Sequence, residues 1–202
     1  MKKNSGFTLT ELMVTLVIVG IVAVIGGPSL RTFVQGSQLV SSSNELVSTL
    51  HVARSEAIKL NRKVTICAST DGTSCSGGAK WQKGWIVFVD ANDDHVGTGS
   101  ACSSVADINT DCLLRVHDAI DEVSQTLSIT GTLDSNGQPV QWFTFTSRGL
   151  PKEAGSSRSG VFAVCSFDES NNIVGSRAVV LSVSGRVRIS DNAAVISCPA
   201  AP

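Results

Sequence analysis

Two arginines near the C-terminus have the type and spacing to bind phosphate groups. Arg186 and Arg188 follow Gly185 and flank Val187. If this segment is a β-strand, the two arginines share one face about 6.6–6.8 Å apart, and Val187 points to the other face. That separation is close to the spacing of neighbouring phosphates on an extended nucleic-acid strand, which two guanidinium groups can contact together. Gly185 permits a close backbone approach or an unusual turn.

The charge distribution supports a basic surface in the C-terminal third. Residues 148–202 contain six basic and four acidic side chains, whereas residues 71–122 contain nine acidic and three basic ones, although the formal net charge is only −1. A solvated strand face, or arginines that bridge to the acidic half, is the alternative interpretation. Without an aromatic cluster, binding to DNA would be sequence-independent and salt-sensitive. The weaker candidate contacts are Arg148, Lys152, Arg158 and Arg177.

An acidic run at residues 90–95 raises the question of a metal. Oxygen ligands at alternating positions suit Ca²⁺. The EF-hand pattern nevertheless fails, because His95 occupies the position of the required glycine and Ala101 that of the closing glutamate. Asx residues after a strand usually form a turn. The sequence therefore predicts no metal site and no cofactor, and calcium at this loop remains the alternative.

The N-terminus places one carboxylate inside an apolar segment. Basic residues precede the segment, Glu11 lies near its start, and it continues past Ile25. A carboxylate at membrane depth costs roughly 2.5–3.5 kcal/mol and usually marks a functional partner. A secretory signal peptide would have a shorter apolar region followed by a small-residue cleavage site, which is missing here. A plain signal anchor would not need Glu11.

Six cysteines in a chain of 202 residues suggest disulfides formed after export. They allow 15 pairings in principle. Sequence proximity favours Cys67–Cys75 and Cys102–Cys112, which leaves Cys165–Cys198 to tie the C-terminal tail to a strand. A zinc site is the rival interpretation, but there is no C-x-x-C motif and the histidines are scattered.

The chemistry-bearing residues lie on a long helix followed by strands, an α+β architecture. Residues 7–25 predict a membrane helix, which residues 26–28 loosen because proline removes a hydrogen bond. An apolar stripe then predicts an amphipathic helix that stops near Asn61 and comprises Leu39, Ser43, Leu46, Leu50, Ala53, Ala57 and Leu60. Short β-branched or aromatic runs predict antiparallel strands at 64–68, 85–90, 113–117, 126–130, 140–146, 161–167, 178–184 and 186–190.

The N-terminal residues resemble the class III signal of type IV pilins and type II secretion pseudopilins. Gly6, Phe7, Glu11 and Pro28 all fall at the spacing of that signal. The resemblance implies that a prepilin peptidase cleaves after Gly6 and that Phe7 is then N-methylated. It also implies that Glu11 meets the N-terminal amine of a neighbouring subunit during assembly. The expected divisions are a leader (1–6), a transmembrane and assembly helix (7–28), an amphipathic helix half (29–61) and a globular β-domain (62–202).

Three further segments resemble the GspH/FimT group of minor pilins and minor pseudopilins. These are residues 51–59, residues 84–92, and residues 185–188 followed by Cys198. The resemblance implies a long helix packed on a β-domain of two sheets. It also associates the G-R-x-R motif, here Gly185, Arg186 and Arg188, with DNA binding during natural transformation.

The resemblance implies partners and a location, and the residues indicate no enzyme. The expected partners are double-stranded DNA, other minor and major pilins, the prepilin peptidase and, before assembly, the inner membrane. The expected location is then an extracellular or periplasmic fibre, at or near its tip. The sequence contains no nucleophile elbow, P-loop or dinucleotide-binding motif. The alternative function is a structural subunit that helps to initiate a type IV pilus or a type II secretion pseudopilus.

Overall fold

One helix of 52 residues, α1 (Leu9–Leu60), dominates the N-terminal part of the protein. The computed structural model describes residues 7–76, 78, 80–97, 100–102, 109–120, 126–131, 140–153, 156–157, 159–192, 196 and 198. Asn61 ends the helix in the left-handed conformation (φ 51°), where its N–H donates to carbonyl oxygens of the last turn. The predicted end of the helix at Asn61 is therefore confirmed.

The helix continues through residues 26–28 without a break. The sequence predicts loosening at this point. Proline removes a single hydrogen bond, however, and the neighbouring turns on both sides keep theirs. A membrane span is expected over residues 7–28. Within the residues that the structure describes, no helical stretch combines the length and the apolar character that crossing a membrane requires.

Within the described residues, ten strands form two antiparallel sheets. Sheet A has the order β3-β2-β1-β5-β6-β7, and sheet B the order β10-β9-β8-β4. A single 3-10 turn, Trp81–Lys83, precedes β2. The strands are β1 (Val64–Ala68), β2 (Trp85–Val89), β3 (Cys112–His117), β4 (Leu127–Gly131), β5 (Trp142–Phe145), β6 (Pro151–Glu153), β7 (Ser156–Ser157), β8 (Gly160–Phe167), β9 (Ile173–Leu181) and β10 (Val187–Ser190).

The second half of α1 and the inner faces of both sheets enclose one hydrophobic core. The predicted stripe is buried from Leu39 to Ala57, and only Leu60 stays partly exposed. Small residues on the stripe, such as Ala53 and Ala57, let the sheets approach the helix closely. Sheet A contributes side chains including Trp85 and Phe143, and sheet B contributes others including Phe162, Val179, Leu181 and Val187. The predicted fold, a long helix packed on two antiparallel sheets, is confirmed.

Two details of the predicted strands are wrong. The strand predicted to reach Ser184 ends at Leu181, and the following strand begins at Val187 rather than Arg186. Residues 182–186 form a tight turn instead, which Ser and Gly residues favour. No strand is predicted between residues 146 and 161, yet this segment contains β6 and β7. These strands are short and polar, so they have no hydrophobic alternation to reveal them.

The structure contains the three predicted disulfides: Cys67–Cys75 and Cys102–Cys112, which sequence proximity favours, and the remaining pair Cys165–Cys198. The third pair joins β8 to the tail. There Ile196 and Cys198 pack on the outer face of sheet B against Ala163, Cys165 and Phe167.

Candidate functional site

The turn between β9 and β10 presents the two C-terminal arginines. Ser182 N–H donates to the Arg186 carbonyl (2.9 Å), and Gly185 N–H donates to the Ser182 carbonyl (2.8 Å). The Ser182 hydroxyl also accepts from Arg186 N–H (3.0 Å). Gly185 has φ +76°, which is the left-handed position of a three-residue hairpin loop with a glycine bulge. The turn therefore requires glycine immediately before Arg186.

A second turn of the same design lies beside the first. Thr146 N–H donates to the Leu150 carbonyl, Gly149 N–H donates to the Thr146 carbonyl, and Gly149 has φ +71°. The two turns touch, because a Cβ built on Gly185 would overlap the carbonyl oxygen of Gly149. Position 185 therefore requires glycine for two reasons: its positive φ and the close approach of the Gly149 carbonyl. The contact places the backbone of Arg148 next to the arginine turn.

Arg54 of α1 holds both turns against the end of the helix. Its Nη1 donates to the Gly185 carbonyl (3.0 Å) and its Nη2 to the Ser184 carbonyl (3.3 Å). Its Nε is buried and has no hydrogen-bond partner among the described residues. The sequence analysis missed this role of Arg54. Its only signal is the position of Arg54 directly after Ala53, at the border of the buried stripe.

Arg186 and Arg188 are exposed, while Val187 between them is buried in the core. Arg188 pairs with Val180 and Val187 with Leu181, so alternation directs Arg188 to the outer face of sheet B. Arg186 ends the turn that leads into β10. In the described part of the chain, neither guanidinium has an ion-pair partner. Each is therefore available to an external anion.

The weaker basic candidates lie in different parts of the molecule. Arg148 is exposed on the turn that touches Gly185. Arg177 aligns with the core-facing Val164, opposite to Arg188, and its Nε lies 3.4 Å from Asp191 Oδ1. Arg158 lies outside the described residues.

Lys152 lies in sheet A, where its charge acts on Asp93. It pairs with Thr144 in sheet A, and Thr144 pairs with Thr65. Its charge acts on Asp93, whose pKa is lowered mainly by a hydrogen bond from Lys63. Among the weaker candidates that the structure describes, only Arg148 therefore lies at the paired turns near Arg186 and Arg188.

Glu11 caps its own helix. Its carboxylate accepts from Thr8 N–H (3.1 Å), and its own N–H donates to the Thr8 hydroxyl (3.3 Å), which completes a capping box. Pairing of Glu11 with the amine of a neighbouring subunit stays a prediction. The structure describes Phe7 as part of the segment before the helix, whereas Gly6 of the predicted cleavage site lies outside the described residues.

Comparison with known families decides the class of this fold. Residues 42–185 match the family described as type II transport protein GspH. The chain belongs to the GspH family. Residues 1–27 of this GspH-family protein match the prokaryotic N-terminal methylation motif. The predicted GspH/FimT identity is confirmed, and with it a role as a minor pilin or pseudopilin.

Solved structures of pilin-like proteins are similar to this GspH-family chain. The type IV minor pilin FimU of Pseudomonas aeruginosa is 26% identical, with a TM-score of 0.50 over 78% of this chain and 92% of FimU. The minor pseudopilin EpsH of Vibrio cholerae is 12% identical, with a TM-score of 0.44 over 76% of this chain and 97% of EpsH. No curated protein sequence matches the chain significantly.

Proposed function

We propose that this GspH-family protein is a minor type IV pilin that binds duplex DNA and acts in DNA uptake during natural transformation. Arg186 and Arg188 contact the phosphate backbone, and Arg148 adds a flanking contact. The proposal places the subunit at or near the tip of the fibre, after a stage in the inner membrane as a prepilin. Its N-terminal methylation motif supports processing by the prepilin peptidase.

One observation carries the proposal: two adjacent glycine turns present exposed arginines for which the described residues provide no ion-pair partner. Arg54 fixes the arginine turn by donating to two of its carbonyls. The backbone of Arg186 is held by hydrogen bonds with Ser182, and that of Arg188 by the ladder with β9. Because the backbone of both arginines is fixed, less conformational freedom is lost on binding phosphates than in a mobile segment. Backbone contacts of this kind bind duplex DNA without reading its sequence.

A salt series on the full-length protein in non-ionic detergent tests the proposal. The logarithm of the DNA association constant should fall linearly with the logarithm of salt concentration, by about 0.9 for each phosphate contact. Replacing both Arg186 and Arg188 by alanine should weaken binding on the order of tenfold or more at 0.1 M salt, and should reduce the slope by about 1.8. Binding can be followed by fluorescence anisotropy of a labelled duplex.

Two single variants serve as matched controls. Arg177→Ala removes an arginine of the same sheet, but on the opposite face and beside Asp191. Arg115→Ala removes an exposed arginine of sheet A. Both should bind DNA as the unaltered protein does. If all variants lose DNA affinity equally, net charge alone explains the binding. If the double variant binds DNA as before, Arg186 and Arg188 are not the binding site.

A structural role in fibre assembly is the second candidate function. Its specific support is the first part of α1, where apolar side chains are more than half exposed from Leu9 to Val22, as a surface for packing against other subunits would be. The similarity to the type IV minor pilin FimU points the same way. Other minor and major pilins are the partners in this case.

A chromosomal deletion separates the two functions. Normal fibres with lost transformation support DNA uptake, whereas lost fibres or lost secretion support an assembly role in a pilus or a type II secretion pseudopilus. Complementation of the deletion with the Arg186→Ala/Arg188→Ala variant tests which of the two functions needs the arginines. Restored fibres without restored transformation would assign the arginines to DNA uptake alone.

A further inference from the structure

Asp90, directly after β2, is a buried carboxylate with one unused oxygen. Its side chain is 0% exposed. One oxygen, Oδ2, accepts from the Thr65 hydroxyl (2.8 Å) and lies 2.9 Å from His95 Nδ1. The other, Oδ1, is buried and has no hydrogen-bond donor in the part of the chain that the structure describes. A buried anion with an unsatisfied oxygen is costly unless a cation or donor reaches it.

Two more carboxylates converge on Asp90. One oxygen each from Asp90, Asp94 and Asp111 lie within 4.8 Å of one another. The sheet creates this cluster, because Val89 pairs with Cys112 and so brings the residues after β2 beside the residue before β3. Ala91 N–H donates to Asp111 Oδ1 (2.8 Å), which fixes the third carboxylate. Residues 21 apart in the chain thus form one acidic site.

The positive charges nearby are already engaged with other groups. Lys63 Nζ lies 2.6 Å from Asp93 Oδ2. His95 contacts the Oδ2 side of Asp90 and stacks on Trp142, with ring centroids 3.5 Å apart. Neither Lys63 nor His95 therefore donates to Oδ1 of Asp90, which has no hydrogen-bond partner among the described residues.

We propose that Asp90, Asp94 and Asp111 bind a calcium ion. Three carboxylate oxygens within 4.8 Å can all reach one ion at the Ca²⁺–oxygen distance of about 2.3–2.6 Å. A ligand set made only of oxygen atoms selects a hard cation. Because Asp94 is exposed, water would complete the coordination, and Ca²⁺ accepts such irregular geometry. Mg²⁺ demands near-ideal octahedral geometry and usually uses only one or two carboxylates.

The alternative group of Asp90, Asp93 and His95 is less suitable. Asp93 is paired with Lys63, and His95 is held between Asp90 and Trp142. A metal on that group would have to break both interactions. Calcium at Asp90, Asp94 and Asp111 leaves them intact. It would tie the segment after β2 to the start of β3, next to the Cys102–Cys112 disulfide.

Calorimetry on the full-length protein, stripped of metal by a chelator and kept in detergent, tests the site. One Ca²⁺ should bind per chain. Its dissociation constant should be roughly 10⁻⁴–10⁻³ M, as in extracellular modules, or lower. Mg²⁺ should bind more weakly. Asp94→Asn and Asp111→Asn should each weaken Ca²⁺ binding on the order of tenfold or more, because each removes a charged ligand. Asp118→Asn, an exposed aspartate after β3, should leave the affinity unchanged.

Terbium provides a readout specific to this location. Tb³⁺ bound beside Asp90 should show emission sensitised by Trp142, and Trp142→Phe should remove most of that emission while calcium binding persists. If Asp111→Asn fails to fold, Asp94→Asn decides the question, because the Asp94 side chain is exposed. Absence of saturable Ca²⁺ binding, equal affinity for Mg²⁺, or unaltered binding in a folded Asp94→Asn variant would overturn the proposal.

Discussion

Arg54 shows how a side chain on one element sets the position of residues on another. Its guanidinium donates to Ser184 and Gly185, at the two positions before Arg186. Its Nε lies near the place where a Cβ on either Gly149 or Gly185 would be. Arg54 is therefore a positioning residue, and the proposed phosphate contacts belong to Arg186 and Arg188.

Arg54→Ala should lower the free energy of unfolding by about 1–3 kcal/mol, since two charge-assisted hydrogen bonds disappear. DNA binding should weaken, but by less than in the Arg186→Ala/Arg188→Ala variant, and the salt slope should stay unchanged because no phosphate contact is lost. Urea denaturation and the salt series measure the two effects. Lys59→Ala, which removes an exposed i,i+3 ion pair, is the control and should cost roughly 0.5 kcal/mol or less. A reduced slope in Arg54→Ala would instead make Arg54 a DNA contact.

Basic residues that lie close together in the C-terminal third of the sequence are separated in the fold. Arg177 and Arg188 lie in paired strands of sheet B, yet on opposite faces, because Arg177 is three positions, an odd number, from Val180, which pairs with Arg188. Lys152 acts on Asp93 at the other sheet. Sequence proximity measures neither the face of a strand nor the sheet to which it belongs.

At the scale of elements, the third disulfide anchors the C-terminal tail on the outer face of sheet B. Cys165 is buried in β8, and Cys198 packs with it beside Ala163. The bond spans 33 residues of sequence, against 10 for Cys102–Cys112. In the chain-entropy account, the longer loop constrains the unfolded state more.

Replacing Cys165 and Cys198 by alanine should therefore destabilise the protein by roughly 2–4 kcal/mol, about 1 kcal/mol more than the same change at Cys102 and Cys112. Denaturant unfolding of both variants, with the remaining disulfides mapped by mass spectrometry, checks the difference. A smaller loss at Cys165–Cys198 than at Cys102–Cys112 would contradict the ranking. Mapping of other cysteine pairs in the unaltered protein would contradict the pairing itself.

Across the whole molecule, the proposed assembly surface and the proposed DNA-binding residues lie at different ends of α1. Apolar side chains of the first turns are exposed, starting from the Thr8–Glu11 capping box. The paired turns with Arg148 and Arg186 contact Arg54 near the C-terminal end of the helix. We therefore expect incorporation into a fibre through one end of α1 to leave the arginines accessible at the other.

Glu11→Val should leave the protein in the membrane fraction but impair its incorporation into fibres, because the carboxylate that would meet the amine of a neighbouring subunit is gone. Thr8→Val is the matched variant: it removes the capping hydroxyl while it keeps the carboxylate. Immunoblots of sheared fibres and membranes report both. Normal incorporation of Glu11→Val would contradict the pairing, and equal defects in the two variants would reduce the role of Glu11 to helix capping.

The sequence by itself determined the elements and the class of this protein. Period-3.6 and period-2 patterns are local, so they identify the buried stripe of α1 and most strands, and the N-terminal motif identifies the pilin class. The tertiary structure alone decided which distant residues meet: Arg54 with Gly185, Gly149 with Gly185, and Asp90 with Asp111. These contacts depend on strand register and sheet order, which follow from the packing of the whole core and have no local signature in the chain.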